Sequence, residues 1–175
     1  MNKYIISKKE DWFCYKIGEF NLEEPFQIEV PIDSGCREII IIGDEIQLPQ
    51  SSGTYIYDKD FVKENNGKKV SIFSIRSTIK LPFGSGKVND FIESARSEYF
   101  IKFSSLFNYA CANPSLVESK DDLRRKIKTE IISFLTNLTE DMIANFEVDL
   151  NNTIQNFLYT QGLSLQGPLT LIINR

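Results

Sequence analysis

The spacing of apolar residues changes near residue 118 of this 175-residue chain. Before that point, short apolar runs of strand length alternate with turn residues. Phe26, Ile28 and Val30 alternate with polar neighbours, and residues 38–42 are largely β-branched. After that point, apolar residues recur at intervals of three and four, as on one side of a helix. Strands followed by helices predict an α+β fold: a β-rich N-terminal part with antiparallel strands, then two consecutive helices and a C-terminal strand.

Local patterns place the individual elements. Ser119, followed by acidic residues, predicts the start of a helix that runs to Leu138. Thr139 predicts the cap of a second helix over residues 143–161, and Gly162 suits the left-handed residue that ends it. Strands are predicted at residues 26–30, 38–42, 46–48, 54–57, 70–81 with a bulge between Ile72 and Ile75, 99–103, and 163–173 with a break at Gly167 and Pro168.

The composition limits the chemistry of the chain. It has no histidine, which removes the commonest general base and the commonest metal ligand. Its net charge of −4 disfavours general nucleic-acid binding. Three cysteines, Cys14, Cys36 and Cys111, form neither a disulfide framework nor a zinc site. Cys36 is expected to be the exposed and reactive one, and the other two are expected in the core.

The length of the chain suggests a single domain, and its hydropathy pattern suggests no membrane-spanning helix. A chain of 175 residues fits a single domain spanning residues 1–175. The first ten residues lack the apolar stretch of a signal peptide, and no window approaches the length of a transmembrane helix. We therefore expect a cytoplasmic protein, or one that is peripheral to a membrane.

A glycine-rich segment invites a phosphate-loop interpretation. Residues 83–87, Phe-Gly-Ser-Gly-Lys, follow a predicted strand and precede a short helix predicted over residues 88–95. The match fails where the first glycine is replaced by Leu81 and where the magnesium-binding hydroxyl is replaced by Val88. A glycine-rich turn is the favoured interpretation.

Charged residues offer one candidate contact face and no catalytic site. The adjacent carboxylates at helix starts suit the helix dipole, and those near residue 58 lack further oxygen ligands for a cation. The pairs are Asp58/Asp60, Asp121/Asp122 and Glu140/Asp141. Basic residues cluster on the first long helix among interleaved acids, an arrangement typical of a solvated face. The sharper hypothesis is a contact face for anionic lipid headgroups or an acidic partner, formed by Arg124, Arg125 and Lys128.

The order of motifs in the second half resembles a known family. Residues 122–127, Asp-Leu-Arg-Arg-Lys-Ile, open the first helix, and Gly162-Leu163-Ser164-Leu165 with residues 169–173 follows the second. This order of helix, helix, Gly-Leu-x-Leu and strand resembles the SPFH domain, also called Band 7 or stomatin/prohibitin-like. Further similarities lie upstream, at residues 37–48, 52–55, 83–84, 99–107 and 113–114. Among them, residues 83–84, 99–107 and 113–114 are similar to the branch called virion-core-protein-like, which makes that branch the nearest one.

The resemblance implies a fold and a function class. It covers an SPFH-like core at residues 26–173 and leaves residues 1–25 as an N-terminal extension. Members of the family commonly assemble into oligomers at membranes and act as scaffolds without a catalytic site. Many relatives add a membrane anchor, a long coiled coil or a cysteine-rich zinc module, and this sequence displays none of these patterns.

The combined prediction is a non-catalytic scaffold or protein-interaction domain that self-associates or docks a partner. A membrane surface is one of the places where this association is expected. No cofactor, metal or nucleic acid is expected; the expected partners are the chain itself, another protein and, peripherally, anionic lipid. One alternative is a monomeric soluble adaptor of the same fold. The other is a nucleotide-binding protein or enzyme that uses the loop from Gly84 to Lys87.

Overall fold

The computed structural model describes all 175 residues and confirms the α+β class. Twelve strands and four α-helices alternate along the chain, with the two long helices consecutive and strands at the C-terminus. The strands are β1 Asn2–Ile5, β2 Trp12–Asn21, β3 Phe26–Val30, β4 Cys36–Ile42, β5 Glu45–Ile46, β6 Gly53–Tyr57, β7 Lys69–Arg76, β8 Thr78–Ser85, β9 Ser94–Phe103, β10 Glu118–Ser119, β11 Leu163–Leu165 and β12 Ile172–Asn174. The helices are α1 Lys59–Glu64, α2 Leu106–Ala112, α3 Lys120–Thr136 and α4 Glu147–Thr160. No helix is both long enough and apolar enough to cross a membrane.

The chain divides into two compact units. The N-terminal unit comprises Met1–Ser77 with Ser115–Ser119, and the C-terminal unit comprises Thr78–Pro114 with Lys120–Arg175. The boundary falls inside the segment 70–81 that the sequence predicts as one strand. That segment is two strands, because β7 and β8 belong to different sheets on either side of Ser77.

The N-terminal unit contains two sheets. One has the strand order β1-β3-β6, in which β1 runs parallel to β3; the other is antiparallel with the order β10-β2-β7-β4-β5. Apolar side chains from both sheets and from α1 form one buried cluster that includes Ile28, Ile40, Val62 and Ile72. Residues 1–25 supply β1 and the long strand β2 to these sheets.

The predicted bulge lies on a different strand. Lys16 of β2 pairs with Phe73 and Gly18 pairs with Ile72, so Ile17 is the extra residue. The partner strand β7 is regular but buried on both faces through most of its length, so its apolar residues do not alternate. The apparent change of phase in residues 70–81 therefore reflects burial of both faces and the break at Ser77.

The C-terminal unit is a sheet with helices on one face. The ten-residue strand β9 pairs with β8 along one edge and with β11 and β12 at the two ends of the other edge. Helix α3 packs on β8, and α4 packs on β11 and against α3. The predicted stripe of α3 is confirmed, because Leu123, Ile127, Ile131 and Leu135 are all buried. The predicted break at Gly167 separates β11 from β12.

The start of the second long helix differs from the prediction. The second long helix begins at Glu147, where the sequence predicted a start at Ile143. Glu140–Met142 instead forms a short 3-10 turn, and the Thr139 hydroxyl donates to the Asp141 carboxylate at 2.6 Å without capping any helix. The Thr139 hydroxyl oxygen accepts from no backbone amide of this turn, and the long helix starts only after the turn.

Candidate functional site

The predicted basic face exists as a groove on the surface of α3. Arg124, Arg125 and Lys128 line a shallow groove of about 440 Å³ together with Thr129 and Ile132. All five residues lie on α3, on the part of its circumference that the buried stripe leaves in solvent. The structure therefore brings the three predicted site residues together, and helical spacing is the reason.

The charges in this groove are only partly compensated. Arg124 lies 3.4 Å from Asp121, and Arg125 lies 3.5 Å from Asp122, with all four side chains substantially exposed. Exposed pairs of this kind contribute at most about 1 kcal/mol and exchange readily with water or another anion. Lys128 has no carboxylate within 4.0 Å. The groove is consequently a site where an anionic partner can displace weak local contacts.

A buried hydroxyl lies within the electrostatic reach of the same face. Tyr99 of β9 is 2% exposed, and its Oη has no hydrogen-bond partner. Burial raises the pKa of Tyr99, and the positive charge of Arg124 partly opposes that rise. The phenol is therefore neutral at physiological pH and contributes no counter-charge to the groove.

The glycine-rich segment does not form a strand–loop–helix unit. Gly84 and Ser85 belong to β8, and neither Gly84 nor Gly86 adopts a positive φ. The short helix predicted over residues 88–95 is wrong. Asn89 Oδ1 instead accepts from the backbone amides of Phe91 and Ile92, at 3.1 and 2.9 Å, and holds a turn. No helix follows the segment before β9, so it lacks the helix start whose dipole and amides a phosphate loop uses.

The carboxylate pairs have structural partners. Asp58 caps α1, because its Oδ1 accepts from the amides of Asp60 and Phe61 at 3.1 and 3.0 Å. Glu140 lies 3.4 Å from the Arg175 guanidinium. No cluster of three or more candidate metal ligands is present.

Two cysteine predictions are wrong. Cys111 was expected in the core and is exposed, whereas Cys36 was expected to be exposed and is buried. Cys36 is 5% exposed at the start of β4, and burial raises the pKa of its thiol. Cys14 is fully buried, as predicted, and Cys111 on α2 is exposed. Cys111 lies between two alanines in the sequence, and this pattern suggested a buried position. In the short helix α2, however, the buried residue is Tyr109, and the small residues do not mark the buried side.

We expect one of the three thiols to react rapidly in the native protein. A water-soluble thiol reagent at pH 8 should modify one cysteine per chain within minutes, because the thiolates of Cys14 and Cys36 are both disfavoured and shielded by burial. The measurement is the absorbance burst before and after denaturation in urea. Cys111→Ser should remove the burst; a burst that survives this change would contradict the assignment.

A buried acid that was not predicted from the sequence, Glu38, lies on β4. Its side chain is 0% exposed; Oε1 accepts from the Tyr57 hydroxyl at 3.3 Å, and Oε2 has no hydrogen-bond partner. Burial raises the pKa of Glu38 to about 7, although the bond from Tyr57 opposes the rise. A signal was present, since Glu38 opens a largely β-branched run, and such a run is typical of a strand buried on both faces.

Comparison with known proteins adds no family assignment. A scan against protein-family models finds no match for this chain. A search of curated proteins finds no similar sequence. The resemblance to the SPFH domain therefore stays a prediction.

Proposed function

We propose that this protein is a non-catalytic scaffold or interaction domain that self-associates or docks a partner through the groove of Arg124, Arg125 and Lys128. The observation that carries this proposal is the convergence of three cationic side chains on one exposed groove of α3. Ile132 at the same groove adds apolar contact area. An acidic protein surface or a membrane with anionic lipid satisfies both features.

The strength of such a contact follows from the number of charges. Each basic residue near an anionic surface contributes about 1 kcal/mol, so three residues contribute about 3 kcal/mol. This corresponds to roughly a hundredfold enrichment at the surface, which is too weak for a stable monomeric attachment. An assembly that presents several copies of the groove multiplies the effect. Self-association and peripheral membrane contact therefore support each other in this proposal, and the location that follows is cytoplasmic and peripheral.

Reversing the three charges tests the proposal. We expect the triple variant Arg124→Glu, Arg125→Glu and Lys128→Glu to lose self-association and to float at least tenfold less with anionic vesicles at low salt. The variant should fold normally, because all three side chains are exposed. Solution mass by light scattering and flotation with vesicles containing phosphatidylserine are the two measurements.

A matched control separates the groove from net charge. Lys59→Glu, Lys63→Glu and Lys87→Glu change the net charge by the same amount at exposed positions outside the groove. Equal losses in both triple variants would contradict a role for the groove. A wild-type protein that neither self-associates nor binds vesicles would favour the monomeric adaptor.

A further inference from the structure

The sheet of the C-terminal unit has one face that none of the unit's helices covers. Side chains alternate in burial along β8 and β9; Ile79, Leu81, Tyr99 and Ile101 are buried on the face against which α3 packs. Ser164 of β11 pairs with Lys102 and is 4% exposed, so the opposite face is covered at that edge. Along β8, β9 and β12 this opposite face, here called the outer sheet face, is exposed. It comprises Thr78, Lys80, Pro82, Gly84, Arg96, Glu98, Phe100, Lys102 and Ile172.

An aromatic ring lies near the centre of the outer sheet face. Phe100 is 47% exposed and pairs across the strands with Lys80. Ile172 on β12, on the same face, is 53% exposed and pairs with Arg96. Large apolar side chains on a solvated sheet face leave contact area that an apolar group of a ligand can bury.

The charges around that ring are predominantly positive and mostly free. Arg96 and Lys102 have no carboxylate within 4.0 Å. The single acid of the face, Glu98, lies 3.7 Å from Lys80, and both side chains are more than half exposed. A face with three cations and one acid stands out on a chain of net charge −4. Its complement is therefore an anionic ligand.

The spacing of the cations suits an extended chain. Side chains two residues apart on a strand are about 6.8 Å apart, so Arg96, Glu98, Phe100 and Lys102 follow one line along β9. The Glu98 carboxylate in this line lies 3.7 Å from the Lys80 ammonium, which offsets its charge. An extended peptide repeats its side chains at the same interval. Gly84, which pairs with Arg96, leaves room beside the guanidinium, because a Cβ at Gly84 would meet nothing within 4 Å.

We propose that the outer sheet face binds an extended acidic segment of a partner protein. Carboxylates of the segment pair with Arg96 and Lys102, and an apolar side chain between them packs on Phe100. A protein segment is favoured over a single-stranded nucleic acid because the face offers one aromatic ring where stacking platforms use several. This surface is distinct from the groove on α3 and does not depend on self-association.

A labelled peptide tests the inference directly. The probe is a fluorescent 12-residue peptide of alternating Ser and Glu with one central Phe, and its control has Gln at every Glu position. Fluorescence anisotropy at low salt should show binding of the Glu peptide to the wild-type protein and at least about tenfold weaker binding of the Gln peptide. The mutation Phe100→Ala should weaken binding about fivefold, because only the apolar contact is lost.

The most specific variant is Gly84→Glu. It adds a carboxylate beside Arg96 in open space with an ordinary backbone conformation, so the fold should be retained and Glu-peptide binding should fall about tenfold. Lys102→Glu should have the same effect. The matched control Lys59→Glu changes the charge as much as Lys102→Glu does, on α1, and should bind like wild type.

Each of four binding results would overturn the inference: no binding of the Glu peptide, equal binding of the Gln peptide, wild-type affinity in a Gly84→Glu protein of native circular dichroism, or tighter binding of a 12-nucleotide oligothymidylate. The last result would assign the face to nucleic acid. If the wild-type protein self-associates and the Lys102→Glu variant has a lower solution mass, the outer sheet face would be an interface with a second copy of the chain. That result would also contradict the proposal.

Discussion

Replacing Gly162 with alanine should destabilise the protein by about 3 kcal/mol or more. Gly162 follows α4 with a φ of 71°, the left-handed conformation that disfavours any residue with a Cβ. A Cβ there would lie 2.3 Å from the Ser105 carbonyl oxygen and 2.4 Å from the Tyr109 amide nitrogen. Both contacts are with backbone, which cannot rotate away. The Gly162 carbonyl also accepts from Ser104 and Ser105 at 2.9 and 3.1 Å, so movement of the turn would break these bonds.

Equilibrium unfolding in urea measures this loss, and Gly67→Ala provides the matched control. Gly67 has a similar φ of 77°, but a Cβ there would meet nothing within 4 Å. Gly67→Ala should therefore show only the conformational cost of about 1 kcal/mol. Similar losses at the two positions would mean that the close approach of α2 to Gly162 does not contribute.

Replacing Glu38 with glutamine should remove a pH dependence of stability. The folded protein holds the Glu38 proton up to a pKa of about 7, whereas the unfolded chain releases it near the ordinary value of 4.5. The folded state therefore binds more protons between these values, and stability must fall as pH rises from about 4.5 to about 7. Below this window the ionisation of Glu38 has no effect on stability, and above it the penalty is complete, on the order of 3 kcal/mol.

Urea unfolding at pH 5 and at pH 8.5 tests this expectation. Glu38→Gln should be close to wild type at pH 5 and more stable than wild type at pH 8.5, because an amide cannot ionise. The exposed acid Glu23 offers a control, since Glu23→Gln should leave the pH profile unchanged. Parallel profiles for wild type and Glu38→Gln would show that the buried carboxyl is ionised throughout.

Periodic segments were predictable from the sequence, and segments shaped by pairing were not. Helix α3 follows directly from the spacing of Leu123, Ile127 and Ile131. Strand β2 was missed because the bulge at Ile17 interrupts its alternation, and its identity depends on the distant partner β7. Helix α1 was missed because six residues are too few for a periodic stripe, although Asp58 is an ordinary capping residue.

The same distinction applies to the candidate sites. Arg124, Arg125 and Lys128 are neighbours through local helical geometry, so their groove could be predicted. The outer sheet face could not, because the pairing of Lys80 with Phe100 and of Ile172 with Arg96 is set by strand register across the chain. The contact of Glu38 with Tyr57 has the same origin, since these residues lie in two different sheets.

Association of this chain through the α3 groove is tested most directly by the solution mass of the wild-type protein. Light scattering across a concentration series at low salt should give a mass above 20.1 kDa that rises with concentration and falls when salt is added. The Arg124→Glu, Arg125→Glu and Lys128→Glu variant should remain at the mass of one chain. A wild-type mass of 20.1 kDa at every concentration would contradict self-association, and a large assembly that the triple variant also forms would contradict the role of the groove.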